Sequence, residues 1–523
     1  MNTRAHLAVI GGGVAGLTAA RLAATAGLRV TVFEAAATPG GAVGSASIAN
    51  IRLDTGAESV AVRGGRALAL LDELGLGDAL VPPNEAGSWL RLSSGRSVPM
   101  PAGGLLGIPL RPLSRSARAA LGWGGALRAC RDLAFPAGPR ARAAAREASF
   151  GAVIRGRLGS RVRTELVAPV TRGVYSADPE RLDPERAAPG LMAAYAQSGS
   201  VIRAARRVRA AGVPGAAVRG VRGGLHRLVT ALAEDAAARG VDLRLGTPIL
   251  ALAETDAGGW TLRGADGVEI AADAVLLACA EEASLALLGA EPAAAGTAER
   301  RPPSRVRIVT LVVDAPALDA APRGNGVLVA EPATRTAGTG PAVRAKALTH
   351  SSAKWAWLAA ELAAQPGAAG RHAIRLSYDV AALPDDTVLP DDTVLPDEGV
   401  LSKDAARSED AVDQALADAA EILGIPLGRD RLIAAHRTDW VGTQPSAAHG
   451  RAARSDAIRA RLAETGRAGT RDGAGAWLCG TGLAAVIPDA EAAARRILAA
   501  LDRDRPRDSS DITPHTPTDG TPL

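Results

Sequence analysis

The sequence predicts an α/β protein: a discontinuous Rossmann-like dinucleotide-binding domain, with an inserted mixed-sheet domain and an α-helical insertion. Three observations predict it. An apolar strand, Leu7 to Ile10, runs into Gly11, Gly12, Gly13, Val14, Ala15 and Gly16 and then into a helical run. A second apolar strand, Arg29 to Phe33, ends in Glu34. Strand and helix alternation stops near residue 100 and resumes near residue 220.

Each element has a local reason. Gly11 permits the tight turn, Gly13 lets the backbone approach a pyrophosphate, and Gly16 lets the helix pack on the strand, with the helix N-terminus facing the phosphates. An acid about 20 residues beyond the glycines accepts hydrogen bonds from ribose hydroxyls, which is the place of Glu34. The glycine-rich passages Pro39 to Ser45 and Asp54 to Ser59 read as close approaches of backbone to a ligand. A helix from Ala67 to Leu74 stops at Gly75. Strands at 89–92 and 96–99 turn at Ser94 and Gly95. From Pro101 to about Pro214 the chain is Ala- and Arg-rich and helical, with breaks expected at Pro136, Gly138, Pro139 and Gly151.

Alternation resumes with a strand at 220–225, a helix from His226 to Ala238, strands at 241–245 and 248–252, and a buried strand at 274–278. A second excursion, 301–423, carries strands at 307–313 and 326–329. Within it the hexad Leu383 to Val388 repeats as Leu389 to Val394, an expanded surface loop to which no chemistry is assigned. Trp477 to Ala490 reads as a short strand, the glycine turn Gly480-Thr481-Gly482 and a helix start, with a helix from Glu491 to Leu501. The polar, proline-rich tail is expected to be disordered. The expected divisions are 1–85, 215–300 and 431–502 for the dinucleotide domain, 86–100 and 301–430 for the mixed-sheet domain, 101–214 for the helical insertion and 503–523 for the tail.

At 523 residues the chain exceeds the size of one hydrophobic core. The net charge is +5 and the pI about 9.5, which points to anionic partners. Nucleic acid is a poor one: three Tyr, three Phe and seven Trp leave few side chains for base stacking, and no recognised module is present. Arginines crowd the stretch from Arg111 to Arg163 and recur at Arg203, Arg206, Arg207 and Arg209. A solvated helical face and an anionic membrane surface are the competing readings. No apolar run approaches the length of a membrane span, and no secretory leader pattern is seen at the N-terminus. The expected location is the cytoplasm, with a peripheral contact at the inner face of the cell membrane as the further expectation for the insertion. Cys130, Cys279 and Cys479 have no metal-ligand spacing or paired framework and read as buried small side chains.

The opening fingerprint with Glu34, the pair Gly40-Gly41, the run Asp54 to Ser59 and the terminal Gly480-Thr481-Gly482 resemble the flavin-containing amine oxidoreductase superfamily. Within it, Gly107-Ile108-Pro109, the run Pro169 to Pro179 with its Gly173-Val174-Tyr175, Arg222-Gly223-Gly224-Leu225 and Val486 to Ala490 resemble the bacterial protoporphyrinogen and coproporphyrinogen III oxidases. The resemblance implies FAD as cofactor and makes the mixed sheet a substrate domain. It implies that Gly11 to Gly16 hold the pyrophosphate, Glu34 and Ala35 the adenosine ribose, and the Ile249 backbone the adenine. Ala42, Gly56, Ala57, Glu58 and Ser59 would approach the ribityl chain and flavin, Trp440 would lie against the flavin region, and Ala485, Val486 and Ile487 would sit at a helix start near the pyrimidine edge. Six electrons leave a porphyrinogen in three hydride-sized steps, with oxygen as acceptor. No protein residue is assigned as catalytic acid or base, and no metal is implied. Arg91, Arg96 and Arg172 are the candidates for substrate propionates, and Tyr175 for the cavity, whose walls are expected to be mainly aliphatic. A ferrochelatase-type partner would collect the product. The alternatives are an amine oxidase or carotenoid-type desaturase on the same scaffold, and a non-catalytic flavin-binding partner protein.

Overall fold

A computed structural model describes residues 4–211, 218–289, 305–331, 343–365, 370–380, 403–441, 451–464 and 469–503. The repeat at 383–394, His449 and the tail from 504 onward lie outside the described residues.

A five-stranded parallel sheet runs in the order Asp242–Arg244, Arg29–Phe33, His6–Ile10, Ala274–Leu277, Arg471–Gly473. Its central strands are buried on both faces, which is why they read as continuous apolar runs rather than alternating ones. The helices Val14–Thr25 and Leu483–Arg503, from the two ends of the described chain, pack together on one face. Their shared core is Ala15, Ala19, Ala20 and Ala23 against Val486, Ala490, Ala493, Ala494 and Ile497. The small alanine faces let the two backbones approach closely. The last strand and helix thereby complete a sheet begun by the first residues.

A seven-stranded sheet runs in the order Leu432–Val441, Arg305–Asp314, Arg371–Asp379, Ala347–His350, Gly326–Val329, Trp89–Arg91, Ser97–Pro99. Only its Gly326–Val329 and Trp89–Arg91 pair is parallel. Side chains alternate between faces along each strand. One face sinks Val309, Leu311, Leu348, Ile374 and Leu376 into a core against Val412, Ala415, Leu416 and Ala419 of the Lys403–Leu423 helix. The other carries a row formed across five strands by Thr438, Ile308, Ser377, Ala347 and Leu328. Four of the five are only half-buried.

The insertion is helical, with its own core around Phe150, Ile154, Leu158, Leu166, Leu191 and Tyr195. Pro139 opens the short helix Pro139–Ala144, as a proline at a helix start does. Gly151 does not break the chain: it lies inside Phe150–Leu158, where a Cβ would stand 2.6 Å from the Glu180 amide nitrogen. The chain does break at 135–138, as expected at Pro136 and Gly138, and further breaks fall at Gly122 and Gly159, at φ +64° and +96°.

Most of the insertion's arginines with described contacts are internal staples. Arg206 donates to the Leu110 carbonyl, Arg203 to that of Leu133, Arg128 to those of Gly156 and Arg157, and Arg161 to that of Leu121. Guanidiniums satisfy orphan carbonyls and complement helix C-terminal dipoles. Arg203, Arg206, Arg207 and Arg209 make their contacts while remaining exposed to solvent.

Three further expectations are corrected. The 248–252 strand does not join the nucleotide sheet; Ile249–Glu254 pairs with Trp260–Gly264 in a separate three-stranded antiparallel sheet. Residues 477–479 form a helical turn, Ala476–Cys479, because Gly475 at φ +114° turns the chain just after the real strand at 471–473. The three cysteines are half-buried rather than buried. They are thiols nonetheless, since burial raises the pKa of each, that of Cys479 to about 12.

Candidate active site

The glycine turn is held by contacts that admit nothing larger. Gly11 donates its amide to the Phe33 carbonyl at 2.8 Å and adopts φ +114°, with a Cβ position 2.7 Å from the Ala278 backbone. A Cβ on Gly16 would stand 1.9 Å from the Gly11 carbonyl oxygen. Gly13, in contrast, opens outward: its nearest neighbour is 3.8 Å from a built Cβ. It begins the Val14–Thr25 helix with no side-chain cap, so the helix's first amides are left for an acceptor from outside the element. Glu34 folds over this turn and accepts from the Gly12 amide at 2.6 Å and the Ala36 amide at 2.9 Å. A carboxylate has about four acceptor positions, so two stay open to hydroxyl donors. Ala35 beside it is exposed. Ile249 packs in the core that holds Phe33, one strand-end away from Glu34.

The second glycine passage lies against the first, with the Gly40 amide donating to the Gly12 carbonyl at 3.0 Å. Ala42 in turn accepts from the Ala57 amide at 2.9 Å. A Cβ on Gly56 would meet that same carbonyl oxygen at 2.1 Å and the Trp440 ring at 3.2 Å. The Trp440 indole N–H donates to the Thr55 carbonyl at 3.2 Å. Asp54 fixes the segment from below, accepting from the amides of Leu225 and His226 and from the His226 ring. At the other end of the chain Gly475 abuts Ala15. Gly480 and Gly482 adopt φ +99° and +98°, and a Cβ on either would meet nothing within 4 Å. Ala485 and Val486 donate their amides to the Gly482 carbonyl, while Val486 and Ile487 bury their side chains. The Leu483–Arg503 helix thus presents its N-terminal end at the Gly480–Gly482 turn, ahead of the three residues expected there.

Glu58 is the hinge between the two sheets. It pairs with Lys354 at 2.5 Å and with Arg375 at 2.9 Å, and Arg375 also donates to the Gly56 carbonyl at 2.6 Å. Burial pushes the Glu58 carboxyl up, but the two cations outweigh it and bring its pKa down to about 2. Nothing in the sequence singled out Lys354 or Arg375; they stand 296 and 317 positions from Glu58, and no local spacing encodes such a meeting.

Beside this seat the seven-stranded sheet presents its less buried face. Trp440 and Asp379 flank the row of Ile308 and Ser377 on one side and Arg375 on the other. From the Leu432–Val441 strand to the Gly326–Val329 strand is four strand spacings, about 19 Å. At the far end Gly173 touches this face so closely that a Cβ would lie 2.7 Å from Leu328, which explains the glycine of the Gly-Val-Tyr run. There Arg172 pairs with Glu331 at 3.0 Å and approaches Asp379 at 3.8 Å. Lys346, almost fully buried, donates to Asp379 at 2.6 Å and to Ser176. Burial lowers its pKa, with Asp379 opposing.

The four proposed substrate contacts do not converge. Arg91 is paired with Glu421 at 2.6 Å, and Arg96 donates to the Ala119 carbonyl at 2.5 Å. Tyr175 donates its hydroxyl to the Ala187 carbonyl at 2.9 Å, packed against the helical core. Only Arg172 stands beside this face, next to Gly173 and near Asp379. An aliphatic cavity of about 390 Å³, lined by Leu90, Met100, Leu106, Ile108, Leu166 and Val170, lies at the opposite edge of the sheet from Trp440. Five strand spacings, about 24 Å, put it out of reach of the glycine turns.

The sequence profile of the flavin containing amine oxidoreductases matches residues 14–288. The chain belongs to this family. It is 31% identical over 391 residues to a coproporphyrinogen III oxidase of Propionibacterium freudenreichii, covering 67% of this chain and 69% of that one. A coproporphyrinogen III oxidase of Mycobacterium tuberculosis is 30% identical over 352 residues, 66% of this chain and 73% of its own. Among solved structures, a candidate protoporphyrinogen oxidase from Exiguobacterium sp. superimposes with TM-score 0.74 at 22% identity, over 96% of this chain and all of that one. A cyclohexylamine oxidase from Brevibacterium oxydans gives 0.58 at 16%, over 96% and 100%. The fold is therefore that of the FAD-binding amine oxidases, and FAD is the dinucleotide of this family member. The residues fit it: the uncapped helix start at Gly13 and the open space over Gly480 and Gly482 are what a dinucleotide with a flavin needs. Among the described residues no helix is long and apolar enough to cross a membrane, and no cluster of ligating side chains suits a metal.

Proposed function

We propose that this family member is an oxygen-using porphyrinogen oxidase of haem biosynthesis that converts coproporphyrinogen III to coproporphyrin III. The observation that carries the reading is the 31% identity to the P. freudenreichii coproporphyrinogen III oxidase across 69% of that enzyme. The less buried face of the seven-stranded sheet is compatible with it: five strands span about 19 Å, with small Ala347 and Ser377 in the row.

The roles of the site residues follow as part of the proposal. Gly11 to Gly16 hold the pyrophosphate at a helix N-terminus, Glu34 takes the ribose hydroxyls, and residues 42 and 56–59 with Trp440 enclose the flavin. When bound, FAD accepts two electrons as hydride and passes them to oxygen. The protein's part is to hold one methylene bridge of the macrocycle against it and to keep water away. The sheet supplies the wall through Ile308, Ala347 and Leu328. Arg172 is the propionate contact we favour, because of the four candidates it alone lies beside Gly173 and the Leu328 end of that sheet face; an incoming carboxylate displaces the exposed Glu331 with no change in local charge. Arg91 and Arg96 are held by Glu421 and the Ala119 carbonyl, away from Gly173. Proton loss from the pyrroles goes to water, so no protein base is required.

The test is aerobic turnover of purified flavoprotein with coproporphyrinogen III and, separately, protoporphyrinogen IX, following porphyrin fluorescence and peroxide. Three peroxides per porphyrin with the first substrate support the proposal. Preference for the second corrects the substrate, and turnover of neither leaves the non-catalytic alternative standing.

A further inference from the structure

The cluster behind Glu58 is unbalanced. One carboxylate faces two cations, Lys354 at 2.5 Å and Arg375 at 2.9 Å, with only the Ser351 hydroxyl added at 3.4 Å. All three charged side chains are shielded, with exposures of 13%, 18% and 11%. The nearest other acid in the chain, Asp54, is already satisfied by two amides and the His226 ring. Asp379, further along the Arg375 strand, is matched by Lys346 and Arg172. Among the described residues a single positive charge is therefore left over. It is aimed rather than diffuse: Arg375 turns its guanidinium onto the Gly56 and Thr55 carbonyls at 2.6 and 3.4 Å, the segment on which the Trp440 ring rests. Its Nε is buried without a hydrogen-bond partner.

We propose that Arg375 and Lys354 set the redox poise of the bound flavin: their surplus charge, held behind residues 55–58, favours the electron-rich reduced form over the oxidised one. Glu58 moderates that charge and orients both cations. The inference rests on the reading that residues 56–59 border the flavin, but not on the identity of the substrate. The physics is that of any buried charge near a group whose own charge changes: a fixed cation in a low-dielectric site acts over several ångströms with little screening. Because Glu58 is held at a pKa of about 2, the surplus persists across the working pH range.

The experiment is a reductive titration of the flavin in the purified holoprotein against dyes of known potential, without substrate. Arg375→Met and Lys354→Met are each expected to lower the midpoint potential. The expected size is a tenfold or greater change in the preference for reduced over oxidised flavin, about 30 mV for a two-electron couple. Glu58→Gln is expected to raise it, and Arg375→Lys to leave it within that margin. The opposite signs separate charge from packing, since a merely loosened fold would not move the potential both ways. If Glu58→Gln does not fold, Lys354→Met and Arg375→Lys still decide. Arg375→Met and Lys354→Met potentials that stay within about 30 mV of wild type, or potentials that shift one way in every variant, overturn the inference and leave the porphyrinogen proposal intact. A wild-type protein that retains no flavin overturns the flavin seat and this inference with it.

Discussion

The indole N–H of Trp440 donates to the carbonyl of Thr55 at 3.2 Å, bridging 385 positions of chain and joining the outermost strand of the seven-stranded sheet to the second glycine passage. Trp440→Phe keeps the ring over Gly56 and loses one hydrogen bond, about 1 kcal/mol. Trp440→Ala loses the ring as well, about 2 kcal/mol in all for a half-buried indole. Both are read by urea denaturation. The alanine variant is also expected to release flavin on dilution, seen as recovered flavin fluorescence, whereas the phenylalanine variant retains it.

Gly56 and Gly482 are expected to fail in different ways. At Gly56 a methyl would enter the Ala42 carbonyl oxygen at 2.1 Å, so Gly56→Ala should leave little folded protein. At Gly482 a side chain meets nothing within 4 Å, and the cost to the protein alone is the strain of φ +98°, about 1 to 2 kcal/mol. Gly482→Val should therefore fold and purify without its yellow colour. A fully flavin-loaded Gly482→Val protein would show that the space over this turn is not the flavin's.

Glu58 gives an acid signature. Its folded pKa is depressed to about 2 from an ordinary 4.5, so the stability it contributes is complete above about pH 4.5 and is lost as pH falls toward 2. The full contribution is about 3 kcal/mol. Glu58→Gln removes this dependence and strands two buried cations, a loss of about 3 to 5 kcal/mol at pH 7, measurable as a lower urea midpoint.

His350 gives a second signature in a higher window. Its ring is buried, 3.1 Å from the His372 ring, and burial, with the neighbouring His372, lowers its pKa from 6.5 to about 4. A depressed histidine is protonated more readily in the unfolded chain, so stability falls as pH drops from 6.5 to 4, by up to about 3 kcal/mol. His350→Gln should flatten the urea midpoint across that interval. An unchanged slope would assign it to other groups.

In the insertion, Arg157 pairs with Asp132, whose carboxylate is fully buried, and also donates to the Phe135 and Gly199 carbonyls. Arg157→Ala leaves the buried Asp132 carboxylate without a cation, held only by the Ser200 hydroxyl and the Ile202 amide, a loss of about 3 kcal/mol. Arg155→Ala, whose partner Glu180 and own side chain are far more exposed, is expected to change stability by less than about 1 kcal/mol.

The sequence displays what is local. The turn at Gly11 to Gly16, the acid at Glu34 and the second glycine passage are each set by neighbours within a few residues, and the structure has them in contact. The parallel sheet also shows, because strands buried on both faces leave continuous apolar runs. What stays hidden is long-range pairing: Glu58 with Lys354 and Arg375, Arg172 with Glu331, Trp440 with Thr55. Arginines mislead for the same reason. Arg91, Arg96 and Arg206 look like free cations in a sequence, yet each finds a glutamate or a carbonyl that only folding brings near. Gly151 reads as a breaker, although it sits in a helix, where a close approach by Glu180 requires the missing side chain; Gly173, also helical, is fixed by Leu328.

The most direct measurement is an anaerobic mix of the purified flavoprotein with coproporphyrinogen III, following the visible flavin band and porphyrin fluorescence together. Bleaching of the flavin within the mixing experiment, with its colour restored and further porphyrin formed when oxygen is admitted, is the predicted result. A flavin that stays oxidised in the presence of both coproporphyrinogen III and protoporphyrinogen IX would contradict the proposal that this chain oxidises porphyrinogens.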